Sequence, residues 1–299
     1  MSEKIKHRPV MLKEVLSFLK LKNGMVVVDA TVGMGGHAIE MVKQIAPKGR
    51  LIGIDRDKES LEIAKQRLSE YSSQCTFVYD NFCNIDDILT SLNVKHIDAA
   101  FLDLGISSFQ LDNPLRGFSF TNEGPLDMRM DKSSSTSAFD LVNNLSQQEI
   151  ASILWRFGQE RFSNRIAKMI IRHREESVIN TTTELANLIA KAISRSRGCY
   201  HRIHPATRTF QALRIAVNQE LESLEIFLKK IAKFLNRKGR VCIISFHSLE
   251  DRIAKINFRN LAKTEEFKLI VKKPLVPQDE EIKLNPRSRS AKLRVLEKM

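Results

Sequence analysis

An α/β fold built on a mostly parallel sheet, with an all-helical domain inserted into it, is what this sequence predicts. Two observations lead there. Short β-branched runs alternate with helical periods through the first third of the chain and again after residue 206. Between about Leu111 and Pro205 the rhythm lapses and only helical periodicity remains. The expected organisation is a discontinuous α/β domain over 1–110 and 206–299, and an inserted helical domain over 111–205. With 299 residues, 42% of them hydrophobic, the chain can bury a sizeable core, and wholesale disorder is excluded.

Met25-Val26-Val27-Val28-Asp29 reads as a buried parallel strand. A glycine-rich turn follows, then a helix over His37–Gln44. Arg50–Asp55 reads as a second strand, and Asp57–Ser69 as a helix with Leu61, Ala64 and Leu68 on one face. Thr76–Tyr79 and Ile97–Asp103 are the third and fourth strands. In the helical segment, Ser146-Gln147-Gln148-Glu149 is a capping box, and Thr181-Thr182-Thr183-Glu184 opens a further helix. One long amphipathic helix is expected over Thr209–Leu235, followed by a strand over Arg240–Ser245. Phe267–Val271 and Lys292–Leu296 read as two late strands.

Lys and Arg number 48 against 35 Asp and Glu, a net charge of +13, which favours a polyanionic partner. The four cysteines form no C-x-x-C pair, so neither a disulfide framework nor a metal site is expected. No apolar run is long enough to span a bilayer, and the N-terminus lacks the apolar core of a signal peptide. The expectation is a cytoplasmic protein with no membrane partner.

The strongest local signal is Asp29-Ala30-Thr31-Val32-Gly33-Met34-Gly35-Gly36-His37, placed between a strand and a helix. Glycines admit positive φ and close approach of a ligand, and the helix start presents N–H groups to an anion. By itself the loop also satisfies a dinucleotide fingerprint, with Asp55 positioned for ribose hydroxyls in either case. Asp29 bears on the choice: its carboxylate opposes a pyrophosphate but suits the ammonium of a methionine moiety. Asp80-Asn81-Phe82 follows the third strand, where Phe82 is placed either to cover an adenine or to pack in the core.

Longer blocks narrow the reading. They are Asp103-Leu104-Gly105-Ile106-Ser107-Ser108-Phe109-Gln110-Leu111-Asp112, Arg116-Gly117-Phe118-Ser119-Phe120, and Gly124 through Asp131. His204 through Arg214, Ile244 through Arg252, Asn285 through Arg294 and His7-Arg8-Pro9-Val10 complete a set spanning nearly the whole chain. In this order they resemble the RsmH (MraW) family of cytidine N4-methyltransferases of 16S rRNA. The resemblance implies a class I (Rossmann-like) methyltransferase fold with S-adenosyl-L-methionine as donor. It implies methylation of a cytidine in the decoding region, with 16S rRNA or the small ribosomal subunit as partner. Cofactor contacts implied by it are Gly35, Gly36, His37, Asp55, Phe82, Asp103 and Gln110. Ala38 stands where a hydroxyl residue is expected, and Gln159 where a second Glu is usual.

Cytosine N4 is a poor nucleophile, and an acceptor beside it would localise its lone pair. Asp103 is the candidate catalytic residue, with the methionine ammonium as its other assignment. Phe109, Phe118, Phe120 and Phe246 are candidates for stacking an extruded base, each with core packing as the alternative, and His247 either accepts a proton or caps a loop. RNA phosphates are expected at Arg116, Arg195, Arg197, Arg202, Arg208, Arg287 and Arg289, with Arg129 and Arg294 nearby in sequence.

Overall fold

The computed structural model describes residues 8–194 and 204–299. Seven strands form one sheet: β1 Val26–Asp29, β2 Arg50–Asp55, β3 Cys75–Tyr79, β4 Ile97–Asp103, β5 Leu235–Ser245, β6 Phe267–Leu269 and β7 Lys292–Lys298. Their spatial order is β3-β2-β1-β4-β5-β7-β6, with the first five parallel and β7 antiparallel to both its neighbours. Neighbouring strand residues serve opposite faces. Val28, Ile52, Leu102 and Ile243 pack in one apolar cluster, while Val27, Leu51, Phe101 and Cys242 pack in another. Covering both faces is why these strands read as continuous apolar runs rather than alternating ones.

The helices of the first part are α1 Leu12–Leu19, α2 Gly36–Ile45, α3 Lys58–Arg67 and α4 Ile85–Ser91. Then come α5 Ser108–Asp112, α6 Ala138–Asn144, α7 Gln147–Gly158, α8 Ser163–Arg174, α9 Thr182–Ser194 and α10 Thr207–Asn218. The last are α11 Glu220–Ile231, α12 Ser248–Leu261 and α13 Asp279–Leu284. Two compact units result: residues through Gly105 together with Leu221–Met299, and Ile106–Glu220. The second is wider than the expected 111–205 insertion because α10 belongs to it, and Phe210, Ala212 and Leu213 sit in its core with Leu154, Ile166 and Ile189. Gly158 permits this packing, since a Cβ there would lie 2.6 Å from the Arg208 carbonyl oxygen. The expected caps form: Ser146 and Glu149 make a reciprocal capping box, and the Thr181 hydroxyl accepts from the Glu184 N–H at 3.2 Å.

The single helix expected over Thr209–Leu235 is two helices, broken at Gln219 with φ 50°. Buried Asn218 makes the break. Its Oδ1 accepts from the Met130 N–H at 2.8 Å, and its Nδ2 donates to the Met128 and Arg214 carbonyls at 2.7 and 2.9 Å. The strand that follows opens at Leu235, five residues earlier than its apolar run, and bulges between the pairs Ile97–Leu235 and Ala99–Arg240, with Lys238 at φ 67°. Among the described residues, no helix is long and apolar enough to cross a membrane.

Candidate cofactor site

The strand order reverses between β1 and β4, and in open parallel sheets ligands bind at the carboxyl ends of strands beside such a switch point. Three strands end there in a carboxylate: Asp29 on β1, Asp55 on β2 and Asp103 on β4. The loop after β1 turns through Gly33 (φ 51°) and Gly35 (φ 77°) into α2. The reason for glycine differs between them. A Cβ on Gly35 would meet Leu68 Cδ1 at 2.6 Å, so this residue serves the approach of α3 as well as its positive φ, whereas a Cβ on Gly33 would meet only the Thr31 carbonyl oxygen, at an ordinary 3.9 Å. No side chain caps α2, leaving its first N–H groups to the loop side. Arg67 Nη1 steadies the loop by donating to the Met34 carbonyl at 2.9 Å.

Asp55 organises the same loop, accepting from the Gly33 N–H and the Asp57 N–H at 2.8 Å each. Burial pushes its pKa up to about 6 against those two hydrogen bonds. Asp29 is buried, accepts from the Thr31 N–H at 3.3 Å, and is pushed up to about 7, chiefly by desolvation and further by Asp55. Asp103 is raised well above the usual carboxylate range by burial, then by the charges of Asp29 and Glu250. Its Oδ1 is buried with no hydrogen-bond partner, and its Oδ2 stands 3.7 Å from His37 Nδ1. Nε2 of His37 lies 2.9 Å from the Val10 carbonyl, which only accepts, so Nε2 carries a proton and donates it there. Among the described residues no Lys or Arg pairs with Asp29 or Asp103.

One buried and two half-buried carboxylates that repel one another, with one unpaired oxygen among them, describe a crevice that fits a cation. The ammonium and sulfonium of S-adenosylmethionine carry such charge, and the uncapped start of α2 suits its carboxylate.

Two supports had no sequence signal of their own. The Thr31 hydroxyl accepts from the Asp103 N–H at 2.7 Å and so fixes the end of β4. Glu250 is buried and accepts from the Phe246 and His247 N–H groups at 2.9 and 3.2 Å. His247 acts as the cap of α12, its Nδ1 accepting from the Glu250 N–H at 3.4 Å. Phe82 is half-buried and packs edge-on against Phe227, ring centroids 5.6 Å apart.

Gln110 lies in the other unit. It is buried, and its Oε1 accepts from the Ser107 N–H at 3.0 Å in the box that caps α5. Of the stacking candidates in that unit, Phe118 is buried in the core, and Phe120 stacks on His204 at 4.6 Å.

The arginines divide. Arg116 is 1% exposed, and its Nη2 donates to the Arg129 and Met130 carbonyls at 3.1 and 2.9 Å. The expectation that it meets RNA phosphate is therefore corrected: it ties two turns of the helical unit together. Arg129 pairs with Asp127 through two parallel hydrogen bonds of 2.9 and 2.8 Å, and Arg294 is buried against Asp251 at 2.7 Å. Arg208, Arg287 and Arg289 are exposed. Arg195, Arg197 and Arg202 lie outside the described residues.

What the sheet order and its acid-lined crevice define is a class I methyltransferase, an enzyme that takes its methyl group from S-adenosylmethionine. The MraW methylase family matches residues 4–299. Ribosomal RNA small subunit methyltransferase H of Halothermothrix orenii is 48% identical over 313 residues, covering 99% of this chain and 99% of that protein. The chain belongs to the MraW methylase family. The protein of the same name from Clostridioides difficile is 45% identical, covering 98% of this chain and 99% of its own length. Fibrillarin of Aeropyrum pernix, solved with natively bound S-adenosyl-L-methionine, aligns at a TM-score of 0.41 with 9% identity over 92% of this chain and 67% of that one.

Proposed function

We propose that this protein methylates N4 of a cytidine in the decoding region of 16S rRNA, in the cytoplasm, with S-adenosylmethionine as donor. The observation that carries the reading is the unpaired, buried Oδ1 of Asp103 in a crevice of acids that calls for a cationic ligand. The relatives named as small-subunit rRNA methyltransferases supply the substrate class.

When bound, the cofactor supplies an electrophilic methyl group on a sulfonium, so the reading calls for no metal. The chain's own residues bind and orient. Gly35 shapes the loop, its N–H donating to the Val32 carbonyl at 2.8 Å; N–H groups at Gly36 and His37 take the methionine carboxylate, Asp55 takes the ribose hydroxyls, and Phe82 takes the adenine face. Gln110, in the helical unit, is assigned to the cofactor from the sequence resemblance alone. Asp103 accepts hydrogen bonds, either from the methionine ammonium or from the cytosine amine, where it localises the nitrogen lone pair and stabilises the charge that forms. Arg208, Arg287 and Arg289 are the described candidates for RNA phosphates, with Arg195, Arg197 and Arg202 assigned the same role from the sequence. The helical unit is the candidate for RNA recognition.

The test is transfer of labelled methyl groups to 16S rRNA and to small subunits, followed by nucleoside mass analysis. N4-methylcytidine is the expected product. Label on another nucleoside, or on protein, would remove the cytidine assignment.

A further inference from the structure

The helical unit holds a feature that the cofactor site does not use. From Ile150 through Arg174 the sequence has six Lys or Arg and one acid, and that acid, Glu160, is buried and accepts from the Phe162 N–H. Arg165, Lys168 and Arg172 follow one another at spacings of three and four on α8, so they line one helix face over about 10 Å. Lys168 and Arg172 are exposed and Arg165 half-exposed, while the opposite face of α8 carries Ile166, Ala167 and Ile170 into the core. Arg161, also exposed, extends this row into the turn before the helix. Among the described residues none of these four cations has an ion-pair partner.

The turn that starts the row also presents an aromatic. Trp155 is 60% exposed on α7. The Gln159 N–H donates to its carbonyl at 3.1 Å, and Gln159's own carbonyl accepts from the exposed Arg208 at 3.5 Å. Trp155, Arg161 and Arg208 thus belong to one corner of the unit, where α7 ends. An exposed indole on a stretch of chain whose other exposed side chains are mostly Lys and Arg is unsuited to an apolar protein groove, which would surround it with aliphatic side chains. It matches the combination by which single strands are held: a ring on which a base stacks, beside a row of cations that follows the phosphates.

The geometry points to a docking surface for a single-stranded RNA segment, running from Trp155 along Arg161, Arg165, Lys168 and Arg172. The inference deepens the RNA reading above and depends on it. The segment belongs to the RNA that carries the target nucleoside and engages residues other than those assigned to the cofactor.

Trp155 is the sole tryptophan, so intrinsic emission reports on this corner alone. The experiment titrates the full chain with an unlabelled single-stranded oligoribonucleotide, following tryptophan emission, and in parallel measures affinity by anisotropy of a labelled copy. Emission is expected to be quenched at the same RNA concentration at which anisotropy rises. Trp155→Ala should weaken binding between about fivefold and a hundredfold, the range of one base–aromatic stack, and Trp155→Phe should restore most of it. Replacing Arg165, Lys168 and Arg172 together by Gln should lower the salt slope by about 2, at about 0.7 per phosphate contact. Thermal melts verify that the variants fold, and the wild-type titration needs no variant. RNA that binds without changing Trp155 emission, and binds the triple variant with an unchanged salt slope, overturns this surface and leaves the RNA reading standing. Wild-type protein that binds no RNA overturns both. Emission that responds to small subunits but not to protein-free RNA assigns the face to a ribosomal protein and overturns the inference.

Discussion

Replacing Asp29 by Asn should stabilise the cofactor-free protein, by an amount that grows as the pH rises from about 4 to 7 and is constant above that. The Asp29 carboxyl is buried and its pKa is pushed from 3.8 up to about 7. Below about pH 4 both the folded and unfolded chains hold the proton, and Asp29 costs nothing. Between about 4 and 7 the unfolded chain loses that proton while the folded one keeps it, so stability falls as pH rises. Each pKa unit is worth about 1.4 kcal/mol, which gives a penalty below about 2 kcal/mol at pH 5 and about 4 kcal/mol at pH 8. Asn keeps the acceptor for the Thr31 N–H and removes the titration. Urea unfolding of both proteins at pH 5 and pH 8, without cofactor, reads the difference directly. A gain of the same size at both pH values, or a loss at pH 8, would refute the claim that an unpaired charge is stored at the end of β1. The same variant should bind S-adenosylmethionine more weakly, because the charge that destabilises the empty crevice is the one that attracts the ligand.

Binding of a cationic ligand should make Asp29, Asp55 and Asp103 release protons, so cofactor affinity should rise from pH 5 to pH 7. Calorimetry in two buffers of different ionisation enthalpy counts the protons, and a heat that does not depend on buffer removes this linkage. Asp103→Asn should abolish detectable methyl transfer while leaving the thermal midpoint at pH 8 unchanged or raised; wild-type turnover would exclude Asp103 from the site. Arg116→Leu should cost about 2–4 kcal/mol of stability by orphaning the Arg129 and Met130 carbonyls. If RNA affinity falls in that variant while the urea midpoint holds, the structural role assigned to Arg116 is wrong. Gly35→Ala forces a Cβ into φ 77° and against Leu68, at a cost of about 1–3 kcal/mol, and adding Leu68→Ala should recover only the contact part of the loss.

The strands were legible because each is a short apolar run closed by a turn, and the sheet's double burial keeps that signal free of interruption. The break between α10 and α11 was not, because Gln219 carries no helix-breaking signal. The left-handed residue is set by what Asn218 finds in the Met128–Met130 turn, ninety residues away in sequence. The three acids of the crevice stood out as strand-ending carboxylates beside a glycine loop. Their shared electrostatics did not, since β1, β2 and β4 become neighbours only in the sheet. Arginine behaved in the opposite way. Composition marks every arginine as a phosphate ligand, and only the fold reveals that Arg116 spends its donors on backbone carbonyls while Arg165 is half-exposed and Arg172 exposed. The basic face of α8 had a readable spacing but lay in a segment whose apolar periodicity drew the reading.

The place of β7 has a consequence for synthesis. This strand follows every other element in sequence, yet it sits between β5 and β6 and pairs with both. Until it emerges from the ribosome, the hydrogen-bonding edge of β5 stays open and the apolar residues Leu293, Val295 and Leu296 are missing from both sides of the sheet. The helical unit, encoded wholly between β4 and α11, has its whole core translated earlier. Translation therefore supplies the core residues of the middle portion before the strand that joins β5 to β6, and the loss of a few residues from β7 would leave the sheet unfinished.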